Sequence, residues 1–411
     1  MSADNKTLDA IDVYNPDNYV NAVPFADFAR LRELDPVHWH QHPDGGGYWL
    51  LTRHADCQRV SRDNQGFSAN RGFVLVDDLP PDILPMARGQ LLGMDPPEHG
   101  PIRRVVIDRF TQKMLVDWEV RIRAMCKDIF DELAIRTENG RTECDFIDDI
   151  AARLPTRVIA EMMGVPREMW DQFRHWADKQ TSASDPDLGG TPEEVSAASI
   201  AMGTYGFELA CQRKGGFGND LISLLLNVEV DGHKVDEMQF ASLFVQIAVA
   251  GNETTRTLIS SGMYELMQRP QQYRAVESNP ALIGPAVEEM LRYVCPLHYF
   301  RRTATRDTEV GGKLIRENDR VVMLYSAANR DPAVFANAEE FDIHRKENPH
   351  LAFGYGIHLC LGANLARLEA RVFFEEFFKR YAGIELTAAP RRIRSNLING
   401  FKAMPVRLTP R

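Results

Sequence analysis

A single cysteine, Cys360, stands in the stretch Leu351 to Glu369, LAFGYGIHLCLGANLARLE, with Gly354, Gly356 and Gly362 around it. Glycine serves where side chains would block a tight turn or the approach of a flat ligand. The run from Ala363 to Glu369 favours helix, with Leu365 and Leu368 three apart on one face. A sulfur beside a helix N-terminus meets unpaired N–H groups and the positive end of the helix dipole, and both favour the thiolate. Such a thiolate serves as a nucleophile or a metal ligand. A lone cysteine between Leu359 and Leu361 also reads as buried packing. A second constellation is Ala250-Gly251-Asn252-Glu253-Thr254-Thr255, an acid and two hydroxyls in an apolar stretch that costs helix stability. It reads equally as a functional group of side chains and as a kink with threonines bonded to the preceding turn. His99 and Arg103, beside Pro101, make either an anion site at a helix start or a surface charge pair.

The segment Phe353 to Gly362 follows the pattern Phe-Gly-x-Gly-x-His-x-Cys-x-Gly and resembles the haem-binding loop of the cytochrome P450 superfamily of haem-thiolate monooxygenases. The resemblance implies that Cys360 is the axial ligand to the iron of haem b, iron protoporphyrin IX, with a thiolate that favours O–O cleavage. It gives Phe353 the shielding of the sulfur and His358 a bond to a haem propionate, while the glycines, Gly362 among them, let the loop lie flat on the porphyrin. His99, Arg103 and Arg302 are likewise assigned to propionates, although Gly100 stands where the family usually has threonine. Thr254 becomes the alcohol that hydrogen-bonds dioxygen and Glu253 the acid that relays protons, with Glu in place of the more frequent Asp. Glu289 and Arg292 match the family's ExxR pair, and Arg345 its third, purely structural partner. Arg301 is expected to be exposed. The implied pocket holds Leu75, Leu79, Gln246, Val249, Ala250, Leu297, His298, Tyr299 and Ile398, a lining that suits a largely apolar molecule.

The elements that must position these groups are mostly helical. The fold class expected is mainly α with a small β region, a cytochrome P450 fold with haem between a long central helix and the cysteine-loop helix. Residues 1–20 read as a polar N-terminal segment and 21–411 as one domain. Val235 to Arg269 is the longest proline-free segment and predicts a helix that crosses the molecule. Phe25, Phe28, Leu31 and Leu34 predict a short amphipathic helix ended before Pro36. Residues 36–40 and 48–52 predict a hairpin, with His38, His40 and His42 on one face as ordinary exposed imidazoles or a zinc site. Residues 307–315 and 319–325 read as strands. Asn70 to Gly93 is irregular and reads as mobile surface or a binding loop; the resemblance makes it the substrate-contacting one. The Pro/Gly-rich break from Ser182 to Glu194, between helices of the 117–230 region, corresponds to the family's flexible lid.

A formal net charge of −10 argues against a polyanion as the main partner, so no nucleic acid is expected. Six scattered cysteines without a CxxC pair suit a reducing compartment. No apolar run reaches the length of a spanning helix and Met1 to Asp17 is polar, so a cytoplasmic monomer without a membrane anchor is expected. The function expected is insertion of one atom of O2 into a C–H bond of a steroid, terpenoid, branched lipid or aromatic substrate. No flavin or iron-sulfur motif is present, so electrons must come from a separate ferredoxin with its NAD(P)H ferredoxin reductase. The competing reading is a haem-binding sensor or carrier, which needs Cys360 but has no use for Glu253 and Thr254.

Overall fold

The computed structural model describes residues 7–79, 81, 83–213, 220–226, 229–230 and 233–411; the first six residues of the N-terminal segment, positions 80 and 82 of the irregular stretch, and 214–219 and 227–228 of the helical region lie outside them. Fourteen helices occur among the described residues: α1 (Phe25–Leu34), α2 (His54–Arg62), α3 (Leu84–Arg88), α4 (His99–Ile107), α5 (Gln112–Ala134), α6 (Arg153–Met162), α7 (Trp170–Thr181), α8 (Pro192–Gln212), α9 (Leu221–Leu225), α10 (Glu237–Met267), α11 (Pro270–Ser278), α12 (Ile283–Val294), α13 (Tyr325–Ala328) and α14 (Ala363–Arg380). None is long and apolar enough to cross a membrane.

Helix α10 is the predicted traverse, shortened by two residues at each end. Its start is fixed by Asp236, whose carboxylate accepts from the N–H of Gln239 at 2.8 Å. Its 31 residues span roughly 46 Å, and α6, α7, α8, α12 and α14 all pack on it. The helix passes unbroken through residues 250–255. Gly251 has a packing reason: a Cβ there would meet Cδ1 of Ile159 on α6 at 3.1 Å. Helix α14 is anchored by buried Phe373, Phe374 and Phe377, with Phe130 and Phe146 meeting Phe373 and Phe377 edge-on at 5.9–6.2 Å between centroids. Each such ring contributes about 1.5–3 kcal/mol by burial, so the base of the cysteine loop is held rigidly.

The largest sheet among the described residues has five strands, ordered 37–41, 47–51, 320–324, 299–304, 67–68, with the 47–51 and 320–324 strands parallel and every other pair antiparallel; a four-stranded and three two-stranded sheets accompany it. The first two strands form the predicted hairpin, with Trp39 opposite Trp49. Its histidines are buried, in contrast to the exposed reading, because that face packs inward. Each is also used: His38 Nδ1 bonds Asp35 at 2.9 Å, His40 Nε2 accepts from the N–H of Val13 at 3.1 Å, and His42 Nε2 lies 3.0 Å from Asp77. Within the expected polar N-terminal segment, Ile11, Val13 and Tyr19 are buried against Phe28, Leu31 and Tyr48.

Candidate active site

The cysteine loop turns through two left-handed glycines, Gly354 at φ +69° and Gly356 at φ +74°, a backbone that L side chains rarely adopt. The N–H of Cys360 donates to the carbonyl of Phe353 at 2.8 Å and closes the loop. Cys360 therefore opens onto an interior cavity beneath α10 with about 1330 Å³ of atom-free space, part of it open to solvent. Burial pushes its thiol up; the N–H of Gly362 and the charges of Arg103 and Arg367 pull it back only in part. The helix-end effect expected from sequence is present, but desolvation outweighs it. A metal cation at the sulfur would hold it as the thiolate.

His99, Arg103, Phe353, His358 and Gly362 line the same cavity. The rings of His99 and His358 stand 4.6 Å apart. Burial, then Arg103 and Arg302, outweigh the opposing Asp95 and lower His99 to about 4. Burial, then Arg302, His99 and Arg103, lower His358 to about 2. Arg302 is buried and donates to the carbonyl of Arg301 at 2.8 Å; Arg103 donates to that of Leu359 at 2.6 Å. Among the described residues neither arginine has a carboxylate within ion-pair distance, and Nε2 of His99 is buried without a partner. A buried guanidinium, a half-buried one and an orphaned imidazole nitrogen favour anions beside them. A Cβ at Gly362 would meet nothing within 4 Å, so the loop leaves room for a flat group. A sulfur open to the cavity, beside cationic donors without a carboxylate partner, fits iron porphyrin with its two carboxylates.

Opposite the loop, Leu243, Gln246, Ile247, Ala250, Gly251, Thr254, Thr255 and Leu258 of α10 face the cavity at helical spacing. Thr254 donates to the carbonyl of Ala250 at 2.8 Å, so the back-bonded threonine is realised within a continuous helix. Glu253 points elsewhere. It is buried off the cavity wall, paired with Arg256 and accepting from Thr257 at 3.2 Å. Arg256 continues to Asp178 at 3.0 Å, and Arg174 joins Asp178 to half-solvated Asp148. The chain of charges thus leads from Glu253 toward solvent.

Behind the loop, Arg292 donates to both oxygens of Glu289 at 2.8 and 2.7 Å, and Arg345 reaches the same carboxylate at 3.1 Å. Both members of the first pair have fully buried side chains. Arg301 is buried as well, against expectation, because the sheet covers it; it pairs with Asp78 at 2.6 Å in the irregular stretch.

Of the expected pocket, Gln246, Ala250 and Leu297 line the cavity. Val249 lies off the stripe that α10 presents and packs into the main core. His298 bonds Ser326 at 3.1 Å and packs on Tyr19, while Tyr299 joins the cluster of Tyr48 and Val322. Consecutive residues of extended backbone cannot all face one cavity. Ile398 is buried where it bridges Leu297, and Leu75 and Leu79 pack with Phe73 and Ala87. Residues missed by the sequence reading include Leu91, Leu92, Pro296 and Phe300. Glu369 was missed too: it lines the cavity, one oxygen lacks a partner, and burial raises it well above the usual carboxylate range.

The segment between α7 and α8 is latched. Asp185, its side chain buried, accepts from Lys402 at 3.0 and 3.1 Å and from the N–H of Arg394 at 2.7 Å. Asp185→Ala is expected to cost about 1–2 kcal/mol of local opening free energy, since it leaves the N–H of Arg394 without its acceptor and Lys402 with Asp187 alone, at 2.8 Å. Hydrogen exchange should accelerate in 182–191 and 391–403 and stay unchanged in α14; equal acceleration everywhere would contradict a local latch.

A model described as cytochrome P450 matches residues 281–395. The chain is 35% identical over 408 residues to a steroid C26-monooxygenase of Rhodococcus jostii, covering 97% of this chain and 84% of that one. It is 34% identical to a linalool 8-monooxygenase of Pseudomonas putida, covering 97% and 99%. A solved structure of a Mycobacterium marinum cytochrome P450 in complex with pseudoionone superposes with a TM-score of 0.90 at 35% identity, covering 98% of this chain and all of that one.

Proposed function

Because the chain belongs to the cytochrome P450 family and is a haem-thiolate monooxygenase, we propose that it hydroxylates the methyl end of a branched, isoprenoid-type hydrocarbon chain. The reading is supported by the relatives that act at position 26 of a steroid and position 8 of linalool, and by the largely aliphatic wall of Leu91, Leu92, Leu243, Ile247 and Leu297. The observation that carries it is the cavity itself, which joins Cys360 to the hydroxyl of Thr254 and to that wall.

The group that fits the site is haem b, which Cys360 would hold through sulfur and His99, Arg103, Arg302 and His358 through its two carboxylates. When bound, it supplies the activation of O2 that places one oxygen atom in a C–H bond and releases the other as water. The aliphatic wall excludes water and orients the substrate chain. Thr254 turns its proton from the carbonyl of Ala250 to an acceptor in the cavity. Glu253 reloads it, and for that its carboxylate must exchange Arg256 for a water on the Thr254 side; Asp178 keeps Arg256 paired meanwhile.

Thr254→Ala should leave NAD(P)H consumption within a few-fold of wild type while product per NAD(P)H falls about tenfold or more. A sensor or carrier would form no product in either protein, and an unchanged ratio would sink the assignment of Thr254.

Electrons come from a ferredoxin that docks near Arg104, Arg109 and Lys113. Arg104 lies on α4, the helix that carries Arg103, Arg109 in the turn after it and Lys113 at the start of α5, and among the described residues none has an ion-pair partner. Unpaired cations on a rim steer an acidic partner. Charge reversal at all three should slow reduction by a ferredoxin about tenfold or more at low salt and much less at high salt. The same rate at low salt would reject this face.

A further inference from the structure

Gln246, Ala250 and Thr254 recur every four residues on α10 and line one side of the cavity. Thr254 marks the reacting end. Gln246 stands eight residues away, roughly 12 Å along the axis. The rest of the cavity wall is largely apolar, with Leu91, Leu92, Leu243, Ile247, Leu297 and Phe300 among its residues. Within that wall the side-chain oxygen of Gln246 is buried and has no hydrogen-bond partner. A buried amide end without a partner is held at a cost, and turning the Gln246 amide into the cavity lets a polar group on a ligand remove it.

We propose that Gln246 is a specificity-determining residue that hydrogen-bonds a single hydroxyl on the substrate, at the end remote from the oxidised carbon. The inference rests on the branched-chain reading above and narrows it. The substrate is an apolar chain carrying one hydroxyl, separated from the methyl that is oxidised by roughly 10 Å. Three backbone bonds span at most 3.3–3.6 Å, so that gap corresponds to about eight or nine bonds. The amide serves such a hydroxyl in either orientation, by accepting through oxygen or donating through nitrogen.

The test uses the haem-loaded protein and two matched probes, 3,7-dimethyloctan-1-ol and its deoxy counterpart 2,6-dimethyloctane, each titrated by the Soret shift. Affinity for the alcohol relative to the alkane is compared between wild type and Gln246→Leu, a ratio of ratios that cancels the different hydration of the two compounds. Gln246→Leu is expected to lower the relative affinity for the alcohol about tenfold or more, with haem content unchanged. An unchanged ratio overturns the role of Gln246 and leaves the branched-chain reading standing, because both probes still bind. If neither probe shifts the Soret band of wild type, the branched-chain reading falls and this inference with it.

Discussion

Glu289→Ala should leave little or no folded, haem-loaded protein. The substitution strands Arg292, whose side chain is fully buried, and deprives Arg345 of the same carboxylate. Breaking a buried charge pair by removing one partner costs about 3–5 kcal/mol, a large part of the 5–15 kcal/mol that holds a typical domain together. Arg292 also donates to the carbonyls of Asn329, Ala338 and Glu340, so it cannot leave the interior without releasing the segment that leads to the cysteine loop. Glu289→Gln keeps the shape but not the charge and should lose less. Haem absorbance per protein and thermal unfolding check the pair. A Glu289→Ala protein that unfolds at the wild-type temperature with full haem would contradict the structural role.

Cys360→Ala should abolish monooxygenation, a loss of at least about a thousandfold. The alanine leaves the loop hydrogen bond from residue 360 to Phe353 intact, because that bond is made by backbone. The fold should therefore persist, unlike in the Glu289 variant. What disappears is the one anionic donor the iron requires from the protein. His99, Arg103, Arg302 and His358 remain to hold the carboxylates, so some haem binds, with a Soret spectrum unlike the parent's. Circular dichroism, haem titration and product formation separate these outcomes. Retained product formation by Cys360→Ala would refute the ligand assignment.

How much of this was legible before any coordinates follows from where the information lies. The cysteine loop is contiguous, and its positive-φ glycines, its sulfur and its following helix are written within twenty residues. Glu289 and Arg292 are three apart on a helix, and α10 was announced by the missing prolines. The pocket was not legible to the same degree. Val249, His298 and Tyr299 sit within one residue of true lining positions, and one residue turns a helix by about 100° or a strand by 180°. Leu91 and Leu92 come from the irregular stretch, where no period exists to phase them. The burial of Arg301 depends on Asp78, more than 200 residues away, and the latch at Asp185 on Lys402. At Cys360 the helix-end contribution is local and legible, whereas the desolvation that opposes it is the sum of everything packed around the loop.

The central claim is that Cys360 donates a thiolate to haem iron. Reducing the haem-loaded protein and adding carbon monoxide tests it most directly. The account predicts a strongly red-displaced Soret band that is lost in Cys360→Ala. A band at the position given by histidine-ligated haem, or one that survives loss of Cys360, would contradict it.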